Sequence, residues 1–364
     1  MDLEYDSALT VNEGIEQPPI INPHVDVIRE KSVRKLLTAG EYLEGIRSAN
    51  VAILGKAITL VESHLPEHQA LAQKVIELCQ PYTNNSIRIG ITGVPGVGKS
   101  TFIETFGGLY TASGHKLAVL AIDPSSERTK GSILGDKTRM ETLSVDPNAF
   151  IRPSPSAGSL GGVARKTREI IMLCEAAGFD VIFIETVGVG QSETAVHSMT
   201  DFFLLLMLAG AGDELQGIKR GIMEMSDMIV INKADGNNVD KASMAQAQYQ
   251  SALRLFPPPE SGWSPVALTC SALEKTGLNK IREQIEIYMA QTKENGYFEN
   301  HRREQARYWM IETINEALQD HFYRNEKLEQ ALHKNEELVL KGELSSFTAA
   351  KTMLNEYFSQ AGIK

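Results

Sequence analysis

Short apolar runs alternate with amphipathic stretches between residue 86 and about residue 290. Continuous apolar runs are typical of strands that are buried on both faces, and amphipathic stretches are typical of the helices that cover such a sheet. The pattern therefore predicts an α/β fold with a doubly wound, mostly parallel sheet. The predicted strands are residues 87–92, 117–123, 149–151, 181–185, 202–208, 228–232 and 266–270.

The segments on either side of this sheet have helical or irregular patterns. Residues 1–30 are polar without apolar periodicity, which predicts a disordered or loosely attached tail. Residues 31–85 are predicted to form an N-terminal helical subdomain. Its expected apolar faces are Val51, Leu54, Ala57, Ile58 and Val61, then Leu71, Val75, Leu78 and Cys79.

The C-terminal segment, residues 293–364, is charged and has a helical pattern. Ile311, Ile314, Leu318 and Phe322 are spaced for one helix face, which either packs on the central domain, residues 86–292, or forms a dimerisation arm. Within the central domain, the proline-rich stretch 257–265 is predicted to be a surface loop before the last strand.

The strongest chemical signal is GVPGVGKS at residues 93–100, directly after the first predicted strand. This spacing is that of a phosphate-binding loop, in which glycines let backbone N–H groups approach phosphates and a helix N-terminus favours negative charge. Lys99 is expected to reach the β- and γ-phosphates, and Ser100 is expected to bind Mg²⁺. The predicted contact residues are Gly93, Val94, Pro95, Gly96, Val97, Gly98, Lys99, Ser100 and Thr101.

A second motif identifies the base. Asn232, Lys233 and Asp235 follow a predicted strand in the sequence NKAD. A carboxylate accepts hydrogen bonds from both the ring N–H and the exocyclic amine of guanine, so Asp235 is expected to select GTP over ATP. Ser271, Ala272 and Leu273, after the next strand, resemble a second guanine-contacting loop.

Acidic residues follow other predicted strands. Asp123, Asp136 and Glu185 lie at or after strand ends, where open α/β sheets bind their ligands, and are candidate Mg²⁺ ligands. A solvated loop charge or a helix cap is the alternative for each of them, above all for Asp136. The glycine-rich residues 210–221 predict a loop that changes conformation, or else a plain connection to the next helix.

Composition narrows the functional classes. The net charge is −10, with 46 acidic and 36 basic residues, which argues against general nucleic-acid or membrane binding. Three separated cysteines support neither a disulfide framework nor a zinc site. An acidic start and the lack of a long apolar run predict a soluble, cytoplasmic protein.

The motifs GVPGVGKST, DPSS, GSILGDKTRM, ETVGVGQSE, GDELQGIKRG and NKAD together closely resemble the MeaB/MMAA/ArgK family of GTPases. The resemblance implies a SIMIBI-type G domain at residues 86–292 and a homodimer. It further implies a chaperone that gates adenosylcobalamin loading into methylmalonyl-CoA mutase or a related acyl-CoA mutase, and protects or reactivates that enzyme. The cobalamin is expected to be held by the partner.

By the same resemblance, Lys99, Asp123, Asp136, Glu185 and Lys219 are the expected catalytic set, with Lys219 near the γ-phosphate. The chain departs from most GTPases because Glu185 replaces an aspartate and Gln191 is displaced from its usual position.

Two other functions stay open: a P-loop kinase linked to amino-acid transport, and a nickel-insertion GTPase, although the eight histidines are scattered.

Overall fold

The computed structural model describes residues 36–122, 140–153, 160–186, 192–210, 220–323 and 325–360. From Ala39 onward the chain forms one compact unit. Within the described ranges, no helix has both the length and the apolar character needed to cross a membrane.

A seven-stranded parallel sheet lies at the centre of this unit. Its strands are β1 (Ile87–Gly93), β2 (Leu117–Ile122), β3 (Ala149–Arg152), β4 (Val181–Thr186), β5 (Phe202–Leu208), β6 (Met228–Asn232) and β7 (Val266–Thr269). Their order is β3-β2-β4-β1-β5-β6-β7, which places β1 between β4 and β5. Each predicted strand is present, and its described ends differ from the prediction by at most one residue. Because all pairs are parallel, the carboxyl ends meet at one edge.

Helices precede, cover and follow the sheet. They are α1 (Ala39–Arg47), α2 (Val51–Glu62), α3 (Pro66–Cys79), α4 (Lys99–Ala112), α5 (Leu160–Ala176), α6 (Ser192–His197), α7 (Arg220–Glu224), α8 (Val239–Leu253), α9 (Leu278–Glu294), α10 (Tyr297–Tyr323), α11 (Glu326–Leu340) and α12 (Ser346–Gln360). Helices α4 and α9 contribute to the core on one face of the sheet, and α8 packs on the other.

An aromatic cluster fixes α4 on the sheet. The fully buried ring of Phe106 lies 5.1 Å from that of Phe102, 5.3 Å from that of Tyr110 and 5.6 Å from that of Phe183 in β4, measured between centroids. Burial of one such ring stabilises the fold by about 1.5–3 kcal/mol. The loop that precedes α4 is therefore attached to a helix that is held firmly on the sheet.

The predicted N-terminal helical segment is only partly accurate in its apolar faces. Asn50 caps α2, because its side-chain Oδ1 accepts hydrogen bonds from the N–H groups of Ala52 at 3.1 Å and Ile53 at 3.2 Å. This cap puts Val51 on the first turn, where it is 49% exposed, and Leu78 of α3 is 42% exposed. The other residues assigned to the α2 face are buried.

The proline-rich stretch before β7 is an irregular loop, as the sequence predicts, and residues 257–260 are exposed, but two side chains in its second half are buried. Ser261 and Trp263 are buried, and the Trp263 indole N–H donates to the Asp227 carbonyl at 3.0 Å. The Trp263 ring lies 5.5 Å from that of Tyr288 in α9. The prolines prevent regular secondary structure but do not prevent one large aromatic side chain from entering the core.

Candidate nucleotide-binding site

The loop of residues 93–100 connects β1 to α4 at the carboxyl edge of the sheet. Gly96 and Gly98 have φ values of 74° and 90°, a left-handed conformation that glycine adopts without steric cost. A Cβ on Gly93 would lie 2.5 Å from the carbonyl oxygen of Leu206, so the close packing of β1 on β5 requires glycine there. The loop is therefore a backbone cradle that opens onto the N-terminus of α4.

Lys99 is the first residue of α4. Its Nζ donates to the carbonyl of Gly93 at 2.8 Å and so lies across the loop. Burial lowers the pKa of Lys99, while the carboxylates of Glu185 and Glu193 raise it. The first N–H groups of a helix have no acceptor within the helix, so this ammonium group and the start of α4 together favour an anion.

Asn232 connects the end of β6 to two neighbouring loops, residues 93–100 and the loop after β7. Its side-chain nitrogen donates to the carbonyl of Val97 at 2.9 Å, and its side-chain oxygen accepts from the N–H of Ala272 at 3.1 Å. Lys233 also contacts the loop of residues 93–100, because its Nζ donates to the Gly96 carbonyl at 2.8 Å. The predicted base-reading residues are thus fixed relative to the loop of residues 93–100.

Asp235 lies beside the loop that follows β7. The Ser271 hydroxyl donates to its Oδ2 at 2.5 Å and accepts from the N–H of Glu274 at 3.0 Å. The other carboxylate oxygen, Oδ1, accepts no hydrogen bond from the described residues. Ser271 and Ala272 are buried, whereas Leu273 is 77% exposed, so its side chain does not contribute to the packed part of this loop.

Glu185 lies at the carboxyl end of β4, next to β1. It pairs in register with Ile91 and is 4% exposed. The following residue, Thr186, shares a buried hydrogen bond of 2.8 Å between its hydroxyl and that of Thr92. The strand ends of β1 and β4 are therefore joined by side chains, and the acid at position 185 lies at the edge that carries the loop of residues 93–100.

Several predicted site residues lie outside the described residues. They are Asp123, Asp136, Gln191 and Lys219. Among the residues that the structure does describe, no group of three or more His, Cys, Asp and Glu side chains is arranged to hold a metal ion.

Two residues near this site were not predicted. Glu104 of α4 accepts hydrogen bonds from the N–H groups of Thr142 at 2.7 Å and Leu143 at 3.1 Å, which fixes residues 140–145 to the same helix as Lys99. Glu193 is buried and close enough to affect the pKa of Lys99. The sequence holds a signal for each residue: Glu104 lies one turn beyond Ser100, and Glu193 is the last residue of the motif ETVGVGQSE.

Comparisons with known proteins agree with this geometry. The model of the family "Methylmalonyl Co-A mutase-associated GTPase MeaB" matches residues 54–327. GTPase ArgK of Escherichia coli K12 is 45% identical over 316 residues, which are 87% of this chain and 96% of that protein. The mitochondrial methylmalonic aciduria type A homolog of Mus musculus is 44% identical over 326 residues, covering 87% of this chain and 79% of that protein.

A solved structure described as LAO/AO transport system kinase has a TM-score of 0.71 at 38% identity, over 89% of this chain and 99% of that one. The predicted SIMIBI-type sheet is confirmed. The chain is a guanine-nucleotide-binding P-loop GTPase. It belongs to the MeaB family of methylmalonyl-CoA mutase-associated GTPases.

Proposed function

We propose that this GTPase is a chaperone of methylmalonyl-CoA mutase or a related cobalamin-dependent acyl-CoA mutase. In this role it gates the loading of adenosylcobalamin, which the mutase holds, and protects or reactivates the mutase. The observation that carries the proposal is the match of the MeaB family model to residues 54–327, since its description names association with that mutase. The chaperone is expected in the cytoplasm.

The proposed nucleotide contacts follow from the geometry. Residues 93–101 bind the phosphates through backbone N–H groups, and Lys99 adds a positive charge that is already positioned across the loop. Asp235 reads guanine with the carboxylate oxygen that Ser271 leaves available, while Asn232 and Lys233 hold the two loops together. Residues 271–273 contact the base mainly through their backbone.

The proposed Mg²⁺ ligands are Ser100, Asp123, Asp136 and Glu185. The two described members fit, because the Ser100 hydroxyl is in the first turn of α4 and the Glu185 carboxylate is buried at the same sheet edge. Oxygen donors of this kind are those that Mg²⁺ prefers. When bound, Mg²⁺ would neutralise charge on the phosphates. Lys99 holds its ammonium group at the loop independently of the metal.

Turnover is proposed to depend on the partner. Gln191 is displaced from the position of the usual water-orienting glutamine, and the sequence identifies no arginine finger. We infer that the mutase orders residues 210–219 and brings Lys219 to the γ-phosphate.

The test is steady-state GTP hydrolysis with and without saturating cognate mutase. We expect turnover to rise with the mutase, and a parallel assay should show that adenosylcobalamin loading into apo-mutase depends on GTP rather than GDP. Unchanged turnover together with nucleotide-independent loading would reject the chaperone role.

We also propose that residues 293–364 form a homodimerisation arm. Ile311, Ile314 and Leu318 lie on one face of α10 and are 45%, 51% and 57% exposed. A cavity of about 770 Å³ between α10, α11 and α12 has mainly apolar side chains, including Phe322 and Met353. Exposed apolar side chains grouped on one helix face are a feature of association sites. Sedimentation of Ile311→Glu with Leu318→Glu should show a monomer, with the Glu312→Gln variant as a dimeric control.

The runner-up function is a phosphotransferase, which is favoured by one observation: a similar solved structure is described as a transport system kinase. GTP labelled at the γ-phosphate distinguishes the two functions. Release of labelled phosphate to water supports a GTPase switch. Transfer of label to arginine, ornithine or a protein would favour the kinase.

A further inference from the structure

A cavity of about 520 Å³ lies at the amino edge of the sheet, away from the nucleotide site. It is enclosed by the chain after α3, by α5 and by the first turns of α10. Arg88 lines it from the start of β1, while Gly93 is at the other end of that strand, about 17 Å away at the usual rise per residue. The cavity is therefore separate from the phosphate-binding loop.

Four arginines line this cavity, and two of them are already neutralised. Arg88 is buried and donates to Glu175 Oε1 from Nε at 3.0 Å and from Nη2 at 2.8 Å. Arg302 donates to Asp201 from Nε at 2.8 Å and from Nη2 at 2.7 Å. These pairs form a rigid wall whose charges largely cancel.

Arg168 of α5 is different. Within the described chain its guanidinium makes no ion pair and only one long hydrogen bond, from Nη1 to the Gln305 carbonyl at 3.4 Å. Burial, and then the charge of Arg88, lower the pKa of Arg168 to about 10, although Glu175 acts in the opposite direction. A half-buried guanidinium with five donors is stable when an anion accepts several of them. The guanidinium also lies 5.8 Å from the centre of the Trp309 ring, a contact that uses none of its N–H donors. Arg168 is therefore a cation without a matched anion among the described residues.

The surroundings specify the kind of anion. Arg303 lies exposed at the same opening, and Glu299, the one acidic residue among the described lining residues, is also exposed. The donors of Arg168 and Arg303 outnumber the two oxygens of a carboxylate and suit the three terminal oxygens of a phosphate. The cavity has room for more than inorganic phosphate.

Apolar side chains of Ile171, Met172 and Phe298 form part of the lining. Ligand sites of this volume usually combine apolar walls with a few placed polar groups. We propose that the cavity binds a small organic phosphomonoester, with its phosphate on Arg168 and Arg303 and its organic group against these three residues. The ligand contacts α5 and α10 together and so stabilises the attachment of the C-terminal helices to the sheet.

The test uses the full chain saturated with GDP and Mg²⁺, so that the probe does not bind at the nucleotide site. Phenyl phosphate, inorganic phosphate and benzoate are titrated separately by calorimetry, while a fluorescent GDP analogue reports whether nucleotide is displaced. We expect one equivalent of phenyl phosphate to bind at least tenfold more tightly than either other probe. Saturating phenyl phosphate should raise the Tm by about 3–6 °C.

Variants connect this binding to Arg168. Arg168→Gln should weaken phenyl phosphate binding about tenfold or more, because charged hydrogen bonds are lost. Arg168→Lys keeps the charge without the planar fork and should also weaken binding, which covers the case in which the glutamine variant does not fold. Arg307→Gln, on the exposed side of α10, is the matched control.

Three results would overturn the proposal. They are the absence of a second binding event in GDP-saturated protein, displacement of the GDP analogue by phenyl phosphate, and unchanged affinity in both Arg168 variants. Equal binding of benzoate would refute the phosphate assignment, and equal binding of inorganic phosphate would refute the organic group. None of these binding results bears on the chaperone role, which is measured with the mutase.

Discussion

The two edges of the sheet use polar side chains in opposite ways. At the carboxyl edge, Asn232 and Lys233 bond to backbone groups of neighbouring loops. At the amino edge, Arg88 and Arg302 bond mainly to carboxylates, those of Glu175 and Asp201. The first arrangement fixes loops while leaving ligand-facing groups available, and the second neutralises charge inside the fold.

We therefore expect the two edges to affect different properties, the free energy of unfolding and the rate of GTP hydrolysis. Substitutions at the amino edge should change the free energy of unfolding and leave GTP hydrolysis almost unchanged. Substitutions at the carboxyl edge should have the opposite effect. Arg168 is the exception at the amino edge, since its charge is not matched by a described carboxylate.

The largest expected effect is at the amino edge. Arg302→Ala removes the partner of Asp201, whose side chain is 1% exposed, and also removes hydrogen bonds to the carbonyls of Asn84 and Ser86. Breaking a buried pair from one side costs about 3–5 kcal/mol. Urea unfolding in phosphate-free buffer should show this loss.

Arg307→Ala is the matched control, because its side chain is 70% exposed and pairs with Glu304 at 3.6 Å on the same helix. We expect at most a few tenths of a kcal/mol from it. A similar loss in both variants, or a kcat for Arg302→Ala below half that of the parent, would remove the distinction between the edges.

The next largest effect is at the carboxyl edge. Lys99→Ala removes the ammonium group that lies across the loop and should lower kcat for GTP by about 100- to 1000-fold. Its Tm should remain within about 2 °C of the parent, since Lys99 is half-buried and its charge is partly desolvated in the fold. Lys241→Ala, on the exposed side of α8, should hydrolyse GTP normally. Hydrolysis by Lys99→Ala at a rate near that of the control would refute the assigned role.

The sequence predicts the sheet well because burial on both faces leaves a local signal in each strand. Phe202–Leu208, for example, is an uninterrupted apolar run and lies at the predicted position. The exposure of Val51 and the burial of Trp263 do not follow from the local spacing of apolar residues. A helix cap decides the first, and an aromatic contact with a residue far along the chain decides the second.

The candidate site shows the same limit. The spacing of GVPGVGKS and NKAD predicts the two loops, since each is a local backbone motif. The bond from Asn232 to Val97 joins residues 135 positions apart, and the pair of Arg302 with Asp201 joins residues 101 apart. Partners at such separations follow from strand order and helix packing, which one sequence does not specify.

A smaller effect should concern which base is accepted. Asp235→Asn replaces a hydrogen-bond acceptor by an amide, whose N–H group suits xanthine because xanthine has an oxygen in place of the guanine amine. We expect kcat/KM for GTP to fall about 100-fold and that for xanthosine triphosphate to rise. Asp240→Asn, in the first turn of α8, is the control. Loss of activity with both nucleotides would show that Asp235 mainly stabilises the loop through Ser271.

The smallest effect is a pH dependence of stability at the amino edge. Burial, and then the charge of His301, lower the pKa of His197 to about 4. Between about pH 6.5 and pH 4 the unfolded chain therefore takes up a proton on His197 that the folded chain does not. His197 leaves the free energy of unfolding unchanged above pH 6.5 and lowers it progressively as the pH falls towards 4.

Between pH 7.5 and pH 5.0 the parent should therefore lose about 1–2 kcal/mol more unfolding free energy than His197→Gln, as measured by urea titration at each pH. His333→Gln, whose parent side chain is 70% exposed, should follow the parent. His197 packs 5.5 Å from the Phe203 ring and 6.4 Å from the ring of His301 on α10. Equal losses in all three proteins would show that His197 does not cause the pH response.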